Sequence, residues 1–271
     1  KRMSSLEVLK GAPLLRYGPQ TTGGVINLIS TPIPDEQKGY VEAVTNERGS
    51  TDVHATYGDT NGDWGYLFET VQRSAQGFKD IDRSNRNSGF DISDYVGKLR
   101  WQGERQSVTA KLQYSEETSN STYVGLTDAD FNQDPNRRYG LSSPDQMDNT
   151  HSGVSLTHQF EWSDNVSSTT TLYRNDFKRN WYKLSGAGNI IDQANAGDAN
   201  AQGILDGTVD TSGLNYKNNA REYVSQGVQT NFDVNIGNHE FDFGARAHED
   251  EMDRFQPVDV YDQVNGSLVF Q

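Results

Sequence analysis

Cysteine is absent from the 271-residue sequence, so neither a disulfide framework nor a thiolate metal site is possible. No apolar run reaches the roughly 20 residues of a membrane-spanning helix, but a barrel is not excluded, because its signal is spread over short alternating segments. Basic residues number 24 against 38 acidic ones, for a net charge of -14. Nucleic acid is therefore not expected as a partner, since a phosphate-binding surface needs a basic stripe.

Apolar and polar residues alternate with a period of two along segments between turns, which predicts strands. In the clearest segment, 221–236, one face carries Val224, Val228, Phe232, Val234 and Ile236, and the other carries Tyr223, Ser225, Gln229, Asn231, Asp233 and Asn235. A Gly237-Asn238 turn follows, and 240–250 repeats the pattern. About nine such strands lie between Gly39 and Glu251, most of about ten residues, the length of a tilted membrane crossing. We expect Val228, Phe232 and Phe243 to face lipid, and Gln229, Asn231 and Asp242 to face the interior.

The connections between these strands are short at one end and long at the other, except for a short first hairpin at 48–50 on the long-loop side. Short turns are expected at 60–63, 103–105, 163–165 and 237–238. Long polar loops are expected at 77–89, 117–150 and 179–220, and another from near Met252. This asymmetry, with aromatic residues near strand ends, is typical of outer-membrane barrels. The aromatic residues assigned to these interfacial girdles are Tyr57, Trp64, Trp101, Tyr114, Trp162, Phe177 and Trp181. The predicted fold class is all-β, a transmembrane antiparallel up-and-down β-barrel.

The N-terminal segment differs from the alternating strands. Leu6-Glu7-Val8-Leu9-Lys10-Gly11 is followed by Arg16-Tyr17-Gly18 and by Gly23-Gly24-Val25-Ile26-Asn27. This spaced set resembles the closing stretch of the plug domain in TonB-dependent outer-membrane receptors. Its glycines permit the close backbone approach of a compact domain inside a barrel. The resemblance implies that residues 1–35 are the end of a plug and that residues 36–271 are the N-terminal part of the barrel.

A closer resemblance is to the ferric dicitrate receptor branch of that family. Arg16-Tyr17-Gly18-Pro19-Gln20 is similar to its plug ending, and 125–131 followed by Asp134-Pro135 is similar to its third external loop. The resemblance implies a receptor in the outer membrane of a Gram-negative bacterium. It implies import of a ferric chelate, of the ferric citrate or siderophore type, by external binding and plug rearrangement. The implied partners are the chelate, TonB through the N-terminal part of a plug, and membrane lipid and lipopolysaccharide.

Two other functions share parts of this pattern. A passive porin would have the same strands without the plug motif, and a secreted carbohydrate-binding module would have shorter strands under a second sheet. The plug-like segment disfavours both. We also expect the chain to be part of a larger barrel of about 22 strands, because an open sheet in lipid leaves unpaired backbone groups at its edges. The segment 255–271 is expected to enter a further loop without a returning strand.

No arrangement of residues predicts catalysis, and no enzymatic step or cofactor is expected. His239-Glu240 and His248-Glu249 lack the second histidine of a zinc protease motif, and Gly186-Ala187-Gly188 does not continue as a dinucleotide loop. Acidic or amide residues at every second position from Asp128 to Asp134 resemble a calcium loop. Gln133 replaces the turn glycine and the last ligand position lacks a glutamate, so a solvated loop is favoured and no metal site is predicted.

Basic residues near the long-loop end are the candidate ligand site. Arginine forks bind carboxylate-rich anions well, so cations gathered at one rim of an acidic protein indicate selectivity for an anionic chelate. Lys178, together with Arg174, is expected on the lumen side. Neutralisation of nearby acids, or binding of lipopolysaccharide phosphates, is the alternative explanation of these charges. The candidate ligand residues are Arg137, Arg138, Lys178, Arg179, Lys217 and Arg221.

Overall fold

The structure is a computed structural model, and it describes residues 2–11 and 23–271, so the Arg16-Tyr17-Gly18-Pro19-Gln20 motif lies outside the described residues. None of the helices in these two ranges is long and apolar enough to cross a membrane. The strands are β1 (Met3–Leu9), β2 (Val25–Ser30), β3 (Lys38–Thr45), β4 (Thr51–Asn61), β5 (Trp64–Ala75), β6 (Asp80–Ile81), β7 (Phe90–Gln102), β8 (Gln106–Ser119), β9 (Arg137–Arg138), β10 (Gln146–Ser163), β11 (Val166–Ser185), β12 (Thr211–Ile236), β13 (His239–Phe255), β14 (Val258–Val264) and β15 (Ser267–Phe270). The α-helices are α1 (Asp128–Gln133), α2 (Ala187–Asn195) and α3 (Ala199–Asp206).

Nine long strands follow one another as antiparallel neighbours from β3 to β13, as the alternating segments predict. The short strands β6 and β9 pair with each other in parallel and stand apart from this sheet. β12 is the longest strand, with 26 residues. Its part near the short turn pairs with β13, and its part near the long loops pairs with β14. The predicted all-β antiparallel barrel sheet is confirmed.

The N-terminal segment lies against one face of the large sheet. β1 and β2 form a separate antiparallel pair, and Arg2 reaches Asp94 of β7 at 3.3 Å. After β2, the Thr31 hydroxyl donates to Glu69 of β5 at 2.8 Å, and the Thr31 carbonyl accepts from Lys98 of β7 at 2.5 Å. We call the sheet face that makes these contacts the inner face, and the opposite one the outer face.

The outer face is apolar and exposed. One cross-strand row runs through six strands without a polar residue: Leu99, Ala110, Leu156, Leu172, Val228 and Ala247. Phe232 and Phe243 lie on the same face and stack at 5.3 Å between ring centroids. Because side chains alternate along a strand, Gln229, Asn231 and Asp242 lie on the inner face. The predicted division of these six residues between two faces therefore agrees with the structure.

Tight turns join the strands at one end of the sheet. Gly237 between β12 and β13 has a φ of +61°, which favours glycine. The segment 255–271 contradicts its prediction, because it contains a returning strand. β14 and β15 form a hairpin closed by Asn265 and Gly266, both with positive φ, which is typical of a two-residue turn.

At the other end the strands run further than predicted, and the connecting segments fold into a cap with its own apolar core. The predicted loop 179–220 is wrong at both ends, since β11 continues to Ser185 and β12 begins at Thr211, with α2 and α3 between them. Alternation between exposed apolar and polar residues fails here because the cap buries the outer face of these strands. The buried core residues are Val124, Tyr139, Leu141, Leu184, Ala187, Leu205, Leu214 and Tyr216.

The large sheet is open in the part of the chain that the structure describes. β3 is the edge strand on one side; on the other side the edge is β13 near the short turns and β15 near the cap, so the first and last strands do not meet. An edge strand exposes a row of unpaired N–H and C=O groups, and each costs several kcal/mol in lipid.

Candidate ligand-binding site

Four cations line the inner face at the cap end. β11 and β12 place them in facing pairs: Arg179 lies opposite Arg221, and Lys183 lies opposite Lys217. All four are at odd positions and therefore point to the inner face, the side that the N-terminal segment contacts. The two pairs are four residues apart on each strand, or about 13 Å along an extended chain.

These cations lack acidic partners. Within residues 2–11 and 23–271, none of the four forms an ion pair, and the Nε atoms of Arg179 and Arg221 are buried without a hydrogen-bond partner. Asn149 is directly opposite Arg179 on β10, and its Oδ1 is unpartnered as well. Like charges in facing strand positions repel each other and destabilise a sheet. An anion bound between them would replace this repulsion with attraction.

Aromatic rings interleave with the cations on the same face. The Nζ of Lys183 is 4.0 Å from the centroid of Trp181 and 4.3 Å from that of Tyr123. Two residues below Arg179, Phe177 lies opposite Tyr223 with centroids 5.9 Å apart. The site thus offers positive charge beside ring faces.

The electrostatics of Lys183 reflect this crowding. Burial lowers the pKa of Lys183, and the positive charge of Arg179 lowers it further. Asp145 opposes that shift, while Lys217 and Arg221 add to it. An anion bound among these groups would raise the pKa of Lys183 again.

Lys178 is not part of this cluster, and its expected lumen position is wrong. It lies on the outer face opposite Glu222, with which it forms an exposed ion pair of 3.1 Å. Arg174 shares that outer face, because both are at even positions of β11. A strand turns successive side chains to opposite faces, so Lys178 and Arg179 cannot both point inward.

Arg137 was also expected at the ligand site, but the cap uses its whole guanidinium. It contacts the carboxylates of Asp82 at 2.9 Å, Asp130 at 2.8 Å and Asp206 at 2.7 Å. These three residues belong to different connecting segments. Arg137 therefore joins the segments of the cap and is not available to a ligand.

Arg138, like Arg137, connects parts of the cap, and it is 3% exposed. Its Nε donates to the Ser142 hydroxyl at 2.8 Å, and its Nη2 donates to the Ser142 carbonyl at 2.5 Å. Its Nη1 donates to the Asn120 carbonyl. The expectation that Arg138 contacts the ligand is therefore not supported by its position.

Sequence reasoning placed Arg179, Lys217 and Arg221 together but missed Lys183, Trp181 and Tyr123. Residues 177–183 carry an aromatic or basic side chain at every odd position, so extending the strand would have revealed the set. Phe177 and Trp181 were instead assigned to an interfacial girdle, but both lie on the inner face. Trp64, Trp101 and Trp162 do lie on the outer face, near the short turns.

The acidic segment from Asp128 to Asp134 does not form a calcium loop. Residues 128–133 are helix α1, where every second side chain points in a different direction. Asp130 instead accepts hydrogen bonds from Tyr139 and Gln202. No group of acidic or histidine residues that could hold a metal ion occurs in the described ranges.

Asp145 makes the cap sensitive to pH. It is fully buried, and burial raises its pKa to about 6 from an ordinary value of 3.8. The folded state holds the proton of Asp145 more tightly than the unfolded state does. Protonation of Asp145 therefore stabilises the cap; this contribution is complete below pH 3.8 and is lost as pH rises through about 6. We expect hydrogen-exchange protection of the Leu184 N–H, which donates to Asp145 at 2.8 Å, to fall over that interval. Asp145→Asn should remove the dependence; an unchanged pH profile would contradict this assignment.

No family model matches the sequence. The probable TonB-dependent siderophore receptor PirA of Acinetobacter baumannii is 24% identical over 195 residues, which cover 63% of this chain and 24% of that protein. The chain thus spans about a quarter of the length of the curated relative that it matches.

Solved structures match almost the whole chain at low identity. The unliganded ferric citrate transporter FecA has a TM-score of 0.70 at 18% identity, covering 99% of this chain and 37% of that one. The ferric-catecholate import receptor Fiu of E. coli K12 has a TM-score of 0.66 at 12% identity, with 96% and 40% covered. The pyoverdine outer-membrane receptor FpvA of Pseudomonas aeruginosa has a TM-score of 0.64 at 13% identity, with 96% and 36% covered. The chain therefore has the fold of TonB-dependent outer-membrane receptors, and the predicted resemblance to them is confirmed.

Proposed function

We propose that the chain is part of an outer-membrane receptor of a Gram-negative bacterium that imports a ferric chelate. The chelate binds from outside, and rearrangement of a plug lets it pass. The observation that carries this proposal is the set of four inner-face cations, at the end where the long connections form a cap, that form no ion pair with any residue the structure describes. Positive charge held in place without an acidic partner suits an anionic ligand, and Arg forks match carboxylate or phenolate oxygens.

The proposal assigns residues 1–35 to the end of the plug and residues 36–271 to part of the barrel. The contacts of Thr31 with Glu69 and Lys98 support this division, because they tether the segment after β2 to the inner wall. Plug movement would have to act on this tether. TonB would supply the energy through the N-terminal part of a plug. A passive channel is less well supported, since the inner wall already holds this segment.

Two further observations support the outer-membrane location. The apolar row on the outer face suits lipid, and Arg174 and Lys178 lie on the same face nearer the cap, where lipopolysaccharide phosphates would be found. The named relatives import ferric citrate or ferric catecholate, or bind pyoverdine. A secreted carbohydrate-binding module would cover such a row with a second sheet and would stay soluble without detergent.

The double substitution Arg179→Ala and Arg221→Ala tests the site in the full-length receptor. We expect the Kd for the ferric chelate that binds best to rise at least tenfold, about 1.4 kcal/mol, because two fork donors are lost. Equilibrium binding of ferric dicitrate and of a ferric tris-catecholate to purified receptor measures this.

Lys178→Ala is the matched control. It removes a cation one residue from Arg179 but on the outer face, where Lys178 pairs with Glu222. Affinity should stay within about twofold of the unmodified receptor. The proposed site is wrong if the control weakens binding as much as the double substitution, or if neither affects it.

A further inference from the structure

Aromatic and cationic side chains alternate in levels up the inner face. On β11 the inward residues are, in order, Phe177, Arg179, Trp181 and Lys183. The facing strand β12 carries the same type of side chain at three of these four levels: Tyr223 is opposite Phe177, an arginine is opposite Arg179, and a lysine is opposite Lys183. Successive levels are two residues apart, or about 7 Å. A ligand resting on this wall would therefore meet ring faces directly above and below a pair of guanidinium groups.

The rings form surfaces and are not sealed in a core. Tyr123 is 47% exposed, and Phe177, Trp181 and Tyr223 are all partly accessible on the inner face. Phe177 and Tyr223 are inclined by 34°, and His151 meets Phe177 edge to face at 6.2 Å, so three strands contribute to one aromatic floor. The buried core of the cap lies elsewhere, on the outer side of the same strands.

We propose that the preferred ligand is a ferric chelate with aryl groups, of the catecholate or phenolate class, and that an aliphatic citrate chelate is a poorer one. This rests on the proposed function and deepens it. An aryl chelate carries its negative oxygens on the rings themselves, so oxygen and ring face arrive together. The oxygens meet the paired guanidinium groups while the rings stack on Phe177, Tyr223 or Trp181. A citrate chelate uses the charges but leaves the aromatic levels without a partner.

The first test compares three probes on the full-length receptor: a ferric tris-catecholate, ferric dicitrate and a neutral ferric trihydroxamate. We expect the tris-catecholate to bind at least tenfold more tightly than dicitrate, about 1.4 kcal/mol, and the trihydroxamate to bind no better than dicitrate. Tightest binding by dicitrate or by the trihydroxamate overturns this inference and leaves the import of a ferric chelate standing. Binding of none of the three overturns the proposed function as well.

The second test replaces the aromatic floor with Phe177→Leu and Tyr223→Leu together. The Kd for the tris-catecholate should rise about tenfold, while that for dicitrate should change by about twofold or less. Tyr95→Leu with Tyr114→Leu is the control, since this is a cross-strand aromatic pair on the outer face. Heat-dependent mobility in gels confirms that each variant is folded. If the affinity is unchanged, or falls equally for both chelates, the two rings have only a structural role in the sheet and the inference is overturned.

Discussion

Leu172→Arg is expected to lower the free energy of unfolding of the receptor in lipid vesicles by about 2–4 kcal/mol. Leu172 is 50% exposed on the outer face and lies between Leu156 and Val228 in the uninterrupted apolar row. On the proposed function this row faces the hydrocarbon core, where a guanidinium group finds neither water nor an acidic partner. Urea titration of the folded, vesicle-bound receptor measures the change.

The control is Thr171→Arg, the same substitution one residue away on the inner face. Its neighbours are Thr157 and Gln229, so the new charge enters a polar interior and should cost less than about 1 kcal/mol. Phe232→Arg should cost less than Leu172→Arg, because Phe232 is four residues from the end of β12 and closer to the membrane boundary. An equal cost at Leu172 and Thr171 would contradict the assignment of the two faces.

The strands and their faces could be predicted because one period governs them. Residues 221–236 and 240–250 alternate between apolar and polar side chains, and the pleat alone then fixes which residues share a face. Gly237 marks the turn between them through its backbone freedom. The number of strands and their antiparallel order therefore required no knowledge of distant contacts.

The cap could not be read in the same way, because its burial depends on residues far apart in the sequence. Leu184 and Tyr216 lie on the outer face of the sheet. That face is exposed nearer the short turns, but at this end it is covered by the cap. The sequence shows only that alternation stops, which is equally typical of a loop. The predicted loop therefore includes the last seven residues of β11, 179–185, and the predicted site lacks Lys183.

The candidate site was predicted in part for a related reason. The position of Arg179 and Arg221 at strand ends identifies both, but Lys178 is predicted on the lumen side together with Arg174, and both of these lie on the outer face. Arg137 and Arg138 were added because they are basic and lie in a long loop. Which cations have internal partners is a tertiary property, and it separates the charges of the ligand site from those of the scaffold.

Arg137 best illustrates this scaffold role. Its carboxylate partners Asp82 and Asp206 lie 55 and 69 residues away, and its side chain is 22% exposed. Burial tends to raise the pKa of Asp130, but hydrogen bonds from Tyr139, Gln202 and Thr127 and the charge of Arg137 outweigh it, so the pKa is lowered. A carboxylate whose pKa is lowered in the folded state stabilises the fold at pH values above its ordinary pKa. This contribution is lost as the pH falls through the lowered pKa. The cluster should therefore hold the cap together at neutral pH.

Arg137→Met should lower the opening free energy of the cap by about 3 kcal/mol, because three partly buried carboxylates then face one another without a cation. Hydrogen exchange of the α3 amides at neutral pH measures this, and the loss should shrink near pH 4, where the carboxylates take up protons. Arg105→Met is the control: its ion pair with Asp164, 3.6 Å long, is exposed and should contribute less than about 1 kcal/mol. Unchanged α3 protection in Arg137→Met, or an equal effect in both variants, would show that the cap does not depend on this cluster. The outcome also separates the two kinds of arginine, since Arg137→Met acts on the stability of the cap, whereas substitution of Arg221 acts on ligand affinity.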